Sequence, residues 1–213
     1  MNIRTFEAAK LISQNFGILG GIGAGIHGVG EIIQGNIKPD NIFIPSWTTG
    51  PIALYFDGDP AITIFPSMLI AGLVTVIISF ITIVCSILYL KNRKGGKVLV
   101  VIAIMLLFSG GGVGPPVLTL LAGLAGLGIG AEFNWWSGIV KAGTGNVLAR
   151  VWPYIYSICL LNGIFLVVGH IVAAYFFAPV NGEIFSNSFL LSVPLLIISI
   201  ITGIYFDLSR KLT

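Results

Sequence analysis

The fold is decided by residues 98–131, which read VLVVIAIMLLFSGGGVGPPVLTLLAGLAGLGIGA. This 34-residue stretch carries no charge, whereas a membrane-spanning helix needs about 20 mostly apolar residues. Its centre, residues 109–116, consists almost entirely of Gly and Pro. Glycine admits a tight reversal of the chain, and proline can open the helix that follows. The stretch is therefore either one long broken helix or two short spans joined by a tight turn.

The distribution of basic residues separates these alternatives, because short cytoplasmic loops carry an excess of Lys and Arg. If residues 98–131 cross the membrane once, five spans divide the 11 basic residues six to five. If they cross twice, six spans place ten on one side and leave Lys38 alone on the other. The sequence therefore predicts six spans with both termini in the cytoplasm, or five if residues 98–131 form one broken span.

The composition agrees with a membrane protein. Only 9% of the 213 residues are charged, 56% are hydrophobic, and the mean hydropathy is +1.01, whereas soluble domains have about 25% charged residues. This composition excludes a soluble globular enzyme and a disordered tail. A disulfide scaffold is excluded as well, since Cys85 and Cys159 are the only cysteines, and we expect both to act as small buried hydrophobes. The predicted fold class is thus all-α, a polytopic integral membrane protein.

One transmembrane domain without a linker is expected, and residues 1–21 lack the features of a cleaved signal peptide, so we expect them to be retained. The turn near residue 112 should lie below the outer surface, because residues 98–112 rise only about 22 Å as a helix. The outer loop, residues 34–60, should be irregular because of its prolines, and Trp47 and Tyr55 could rest on the membrane. The predicted spans are residues 11–33, 61–90, 98–112, 115–131, 152–178 and 188–207.

Two stripes of small residues predict closely packed helices. They recur at intervals of four, as Gly17, Gly21 and Gly25 in the first span and Ala122, Gly126 and Gly130 in the fourth. The two stripes could face each other. They also make a homo-oligomer or a larger membrane complex a reasonable expectation, with the lipid bilayer as the surroundings and no nucleic acid as a partner.

Three ionisable residues lie at membrane depth, where such groups are costly and usually serve a function. His27 and Glu31 are four residues apart, so a helix places them on one face. His170 lies in the fifth span at a similar predicted depth. A purely structural role is the alternative, since Glu31 could reach the interface and a neutral histidine could donate to a backbone carbonyl.

Three chemistries fit these residues. The first is a proton or cation relay, because histidine titrates near neutral pH. The second is a divalent metal bound by His27, Glu31 and His170. The third is haem held between His27 and His170. Neither cofactor is favoured. An enzyme is not favoured either, because the sequence contains no HExxH motif, no nucleophile elbow and no paired acidic motif.

The leading hypothesis is a small permease or channel-like component for a small solute, ion or proton. Its outward-facing polar site would combine the first span, the glycine-rich turn and the fifth span. The alternatives are an accessory membrane subunit without its own site and a haem- or metal-binding redox protein. The residues expected to bind are His27, Glu31, His170 and, deeper in the membrane, Asn162; those expected to line the turn are Gly111, Gly112, Gly114 and Pro115.

Overall fold

The structure is a computed structural model that describes residues 7–131, 144–177 and 179–211, with only the backbone of residues 144–146 and 211. These residues are mostly helical, with one small two-stranded sheet. In chain order the elements are α1 (Ala8–Gln34), β1 (Phe43–Pro45), α2 (Gly50–Phe56), β2 (Pro60–Ile62), α3 (Met68–Leu88), α4 (Arg93–Ser109), α5 (Gly114–Gly126), α6 (Thr144–Ile164), a π-helical segment (Phe165–Gly169), α7 (His170–Phe176) and α8 (Gly182–Lys211).

Four helices of the described chain are long and apolar enough to cross a membrane, as expected of an all-α membrane protein. They are α1, α3, the continuous helix Val147–Phe176 and Gly182–Arg210 within α8. Their outward faces carry large apolar side chains such as Phe80, Leu161 and Phe176, which are 67%, 68% and 77% exposed. Continuous apolar faces of this kind suit contact with lipid rather than water. Residue 178, the last of the predicted fifth span, lies outside the described residues.

Residues 98–131 fold as two helices rather than one broken helix. Helix α4 ends at Gly110, whose φ is 119°, and Pro115 lies in the first turn of α5. The start of α4 lies beside the end of α5, because Arg93 Nε donates to the carbonyl oxygen of Leu127 at 2.9 Å. The two helices have 17 and 13 residues, hence lengths of only about 25 and 20 Å.

Helix α3 begins seven residues later than the predicted span 61–90. Pro66 has no backbone N–H to donate to a helical hydrogen bond. Ser67 caps the helix, because its side chain accepts a hydrogen bond from Ile70 N at 3.5 Å. Residues 34–60 are likewise more regular than predicted. They contain α2, and their strand β1 pairs antiparallel with β2, with Phe43 opposite Ile62.

The glycine stripe of α1 packs against α3. The two backbones approach closely at Gly28 and Gly72, since a Cβ added at Gly72 would lie 2.5 Å from the Gly28 carbonyl oxygen. Gly21 of α1 likewise faces Ser79 and Ile83 of α3. Backbones can approach this closely only where neither residue has a side chain.

The small residues of α5 have different neighbours. A Cβ at Gly126 would lie 2.7 Å from Ser13 Oγ of α1 and 2.9 Å from the Cα of Gly96 in α4. Gly130 lies beyond the end of α5, and a Cβ there would meet no described atom within 4 Å. The two stripes therefore do not pack against each other.

Contacts between distant residues define two ends of the helical bundle. At the basic end, where α1 and α4 begin and α5 and α8 finish, Asp207 accepts hydrogen bonds from the backbone N–H groups of Ala8 and Ala9 at 2.6 and 3.1 Å. At the loop end, residues 35–67 pack on the helices, and Thr63 Oγ1 donates to the Ser109 carbonyl oxygen at 3.3 Å.

Candidate functional site

A cavity of about 670 Å³ opens among α1, α5, α7, α8 and residues 55–60, near the loop end. Its wall is largely apolar and aromatic. None of the described lining residues is Lys or Arg. The polar part of the wall is supplied mainly by His27, Tyr55, Asp57, Asp59, His170 and Ser186.

His170 and Asp59 are in contact on this wall, with 3.2 Å between Nε2 and Oδ2. The other ring nitrogen, Nδ1, lies 2.6 Å from the carbonyl oxygen of Leu166. A carbonyl oxygen can only accept, so Nδ1 carries a hydrogen, and a hydrogen bond between Nε2 and Asp59 then needs a further proton on one of the two groups. A hydrogen bond between His170 and Asp59 therefore exists only in the state in which one of them holds this proton.

The π-helical segment Phe165–Gly169 brings His170 to this position. Leu166 and Val167 of the segment line the cavity beside His170. A π-helical turn contains one residue more than the α-helical pattern, so it changes the direction of every side chain that follows. Such segments are frequent at functional sites.

The backbone that carries the two aspartates is unusual. Asp57, Gly58 and Asp59 have φ values of 50°, 74° and 54°, so three consecutive residues are left-handed. Each non-glycine residue in this region costs about 1–3 kcal/mol unless its surroundings enforce it. Gly58 is buried against the Trp47 backbone, and a Cβ there would also lie 2.8 Å from Pro45 Cβ. The surrounding loop thus fixes the backbone that carries both carboxylates.

A hydrogen-bonded chain leads from the cavity into the protein. His27 Nδ1 lies 2.8 Å from Ser46 Oγ, and Ser46 Oγ donates to Glu31 Oε1 at 3.3 Å. Glu31 is fully buried, and within the part of the chain that the structure describes its Oε2 has no hydrogen-bond partner. No described Lys, Arg or His nitrogen forms an ion pair with it. An uncompensated buried carboxylate is costly, and a carboxyl group kept in such a place is a candidate functional group.

The turn between α4 and α5 lies directly against this chain. A Cβ on Gly110 would collide with the Glu31 carboxyl group, and a Cβ on Gly112 would collide with the His27 ring. Both glycines also have positive φ values, 119° and 78°. The absence of side chains in the turn therefore makes room for the two ionisable groups of α1.

The residues singled out in the sequence divide into those that line the cavity, those that lie outside its lining, and Asn162, which is described below. His27, His170, Gly114 and Pro115 line the cavity. Glu31, Gly111 and Gly112 lie outside the lining, with Glu31 connected to it through Ser46.

Asn162 is separate from the cavity. Its Nδ2 donates to the Ser188 carbonyl oxygen at 3.2 Å and so joins α6 to α8.

Sequence reasoning missed Ser46 and the aspartates of the loop. The signal for the aspartates was the run Asp57-Gly58-Asp59-Pro60, in which two acids flank a glycine before a proline. Ser46 gives no such signal, because it is a single serine within a loop whose sequence predicts no regular structure.

The donor geometry does not fit the proposed cofactors. Among the described residues no three His, Cys, Asp or Glu side chains are grouped closely enough to hold a metal ion, so His27, Glu31 and His170 do not form a metal site. Haem would need a free nitrogen from each histidine. Both nitrogens of His170 already face oxygen atoms, and His27 Nε2 lies against Gly112.

Comparisons of the chain with protein-family models, with curated proteins and with solved structures found no match. The class that the fold itself defines is an all-α protein whose four longest apolar helices could each cross a membrane. Any more specific function has to be argued from the cavity.

Proposed function

We propose that the protein is a small permease or channel-like component of the cell membrane, with six spans, both termini in the cytoplasm and the cavity as its outward-facing solute site. The observation that carries this proposal is the cavity itself. Its volume of about 670 Å³ falls within the range of about 300–1,000 Å³ typical of ligand sites. Two of its polar groups, His27 and His170, stand on helices otherwise suited to lipid, where such groups are usually functional.

Proton movement is the second part of the proposal. The chain of His27, Ser46 and Glu31 connects the cavity wall with a buried carboxyl group. A proton taken up by His27 from the cavity can pass to a Glu31 carboxylate, because His27 Nδ1–H can give its hydrogen to Ser46 Oγ while the Ser46 hydroxyl hydrogen moves to Glu31 Oε1. This arrangement supports transport of a solute coupled to protons.

Of the glycines that motivated a homo-oligomer or a docked partner, Gly17, Gly21, Gly25 and Gly126 contact helices of the same chain instead. An oligomer or a larger complex therefore stays a prediction without its original support. For the same reason, the accessory subunit is less well supported than the permease.

Uptake into proteoliposomes tests the proposal. Vesicles containing a pH-sensitive dye would receive a proton gradient and, one at a time, small cationic, neutral and anionic solutes, with solute uptake measured by mass spectrometry. We expect uptake of one class above protein-free vesicles, together with dissipation of the gradient. His170→Ala and Glu31→Gln should abolish both signals. Wild-type uptake no greater than that of empty vesicles for all classes would disprove the function.

Two buried serines provide a matched control. Ser46→Ala removes the hydroxyl that joins His27 to Glu31 and should abolish proton movement. Ser79→Ala removes a buried hydroxyl that has no hydrogen-bond partner among the described residues, so it should leave transport intact. Equal effects of the two substitutions would contradict the proton path.

A further inference from the structure

We propose that the cavity binds a small organic cation, an ammonium group carried on an apolar or aromatic body, and that Asp59 exchanges its contact with His170 for this group. The inference rests on the function proposed above, since it takes the cavity as the solute site, and it adds the chemical class of the solute.

The charge of the cavity favours a cation. Asp57 and Asp59 line it, while its described lining contains no Lys or Arg. The two histidines are the basic groups available to balance these carboxylates. A site walled by apolar residues strengthens electrostatic interactions because its dielectric constant is low. An anionic solute would meet two carboxylates there and find no permanent positive charge.

The aromatic wall favours an organic cation over a metal ion. Phe56 and Phe185 both line the cavity, and the Phe56 ring lies edge-on to both His170 and Phe185, with centroids 5.6 and 5.1 Å apart. Phenyl faces attract ammonium groups and also bury apolar carbon atoms. A metal ion needs several oxygen or nitrogen donors grouped around it, and the described residues offer no such group.

The contact between His170 and Asp59 explains how binding and release could be linked to protons. Both nitrogens of His170 face acceptors, so the contact with Asp59 depends on one proton. An ammonium group needs the same carboxylate. Loss of this proton weakens the contact with His170 and frees Asp59 for the solute. Binding of the cation should therefore strengthen as pH rises and weaken as pH falls.

The other titratable groups that face His170 across the cavity are few. Asp57 and Tyr55 approach from α2 and the loop that follows it, and His27 approaches from α1. Helices α5 and α8 contribute no charged residue to the described lining. Replacing His170 alone therefore shows how much of the pH dependence of cation binding comes from this histidine.

The test uses three probes with the same phenyl ring: benzyltrimethylammonium, benzyl alcohol and benzoate. The first keeps its charge at every pH, so any pH dependence comes from the protein. Isothermal titration calorimetry on the purified full chain in detergent, with empty micelles as the blank, measures binding. We expect the cation to bind at least about tenfold more tightly than the other two probes at pH 8. Its affinity should fall several-fold at pH 6.

Substitutions locate the site. Asp59→Asn should weaken cation binding at least about tenfold, and the fold should tolerate it, because Asn adopts left-handed backbone as readily as Asp. His170→Gln should bind the cation and lose most of the dependence on pH. Asp40→Asn, an exposed carboxylate of the same loop region outside the cavity, should bind as the wild type does.

The inference is overturned if benzyl alcohol or benzoate binds as tightly as the cation, or if Asp59→Asn binds the cation like the wild type. Its failure differs from that of the proposed function. Asp59-dependent binding of the cation without uptake into proteoliposomes would overturn the permease and keep the site. Uptake of another solute by a protein that does not bind the cation would overturn the inference and keep the permease.

Discussion

At the scale of single residues, the glycines of the turn between α4 and α5 are needed for two independent reasons. Gly110 and Gly112 have positive φ values, and the space that a Cβ would take is filled by Glu31 and His27. We predict that Gly110→Ala and Gly112→Ala each destabilise the protein by about 1–2 kcal/mol through the backbone alone. Overpacking should add about 1–3 kcal/mol. Thermal unfolding in detergent micelles measures the loss.

Gly25→Ala is the matched control. A Cβ at this helical position would lie 3.7 Å from Ser79 Cβ, an ordinary contact, and its φ is not positive. Alanine is the better helix former by about 1 kcal/mol, so this variant should be as stable as the wild type or slightly more so. Turn variants as stable as Gly25→Ala would show that the turn does not depend on its glycines.

The spacing of residues in the sequence predicts only contacts between neighbours on one helix. The four-residue spacing of His27 and Glu31 correctly places both on one helix. Their connection through Ser46 depends on a loop that folds back over 15 and 19 residues. Similarly, Asp59 meets His170 across 111 residues. Contacts of this range arise from tertiary packing, which periodicity and spacing do not encode.

At the scale of elements, the π-helical segment Phe165–Gly169 controls which way His170 points. Five π-helical residues turn the chain about as far as four α-helical ones, so deleting Val168, a 43% exposed residue of the segment, should restore regular α-helix and leave the direction of His170 unchanged. Inserting one alanine between Gly169 and His170 should instead rotate His170 by about 100° about the axis. We predict that the insertion abolishes pH-dependent binding of benzyltrimethylammonium, whereas the deletion retains it, with the helical circular dichroism unchanged in both. An insertion variant that binds as the wild type does would separate the direction of His170 from the site.

Some of these helices and strands could be predicted from the sequence, and others could not. Apolar length indicates α1, α3 and α8, and the Gly and Pro run indicates the break between α4 and α5. The late start of α3 follows from Pro66 and Ser67, which the count of apolar residues overlooked. The three-residue strands β1 and β2 have no periodicity of their own and form only because they pair with each other. A π-helical turn leaves no signal in hydropathy, since it adds one apolar residue to an apolar run.

At the scale of the whole molecule, the contacts at the two ends agree with an alternating path of the chain. The start of α1 meets the end of α8 through Asp207, and the start of α4 meets the end of α5 through Arg93. The loop covering the cavity lies at the opposite end. Lys38 belongs to that loop, whereas Lys91, Arg93 and Lys94 belong to the basic end. This arrangement is the one expected if α4 and α5 both cross the membrane, although α5 is short.

Cysteine labelling of intact cells tests that topology. In a background with Cys85→Ser and Cys159→Ser, a membrane-impermeant maleimide should label Lys38→Cys directly. It should label Lys94→Cys and Gly145→Cys only after permeabilisation, because short basic loops stay in the cytoplasm. Lys94 lies in the first turn of α4 and Gly145 at the start of α6, beyond the end of α5, so they share a compartment only if the pair of helices crosses the membrane twice or not at all. Labelling of Gly145→Cys but not Lys94→Cys in intact cells would instead establish a single crossing, and five spans.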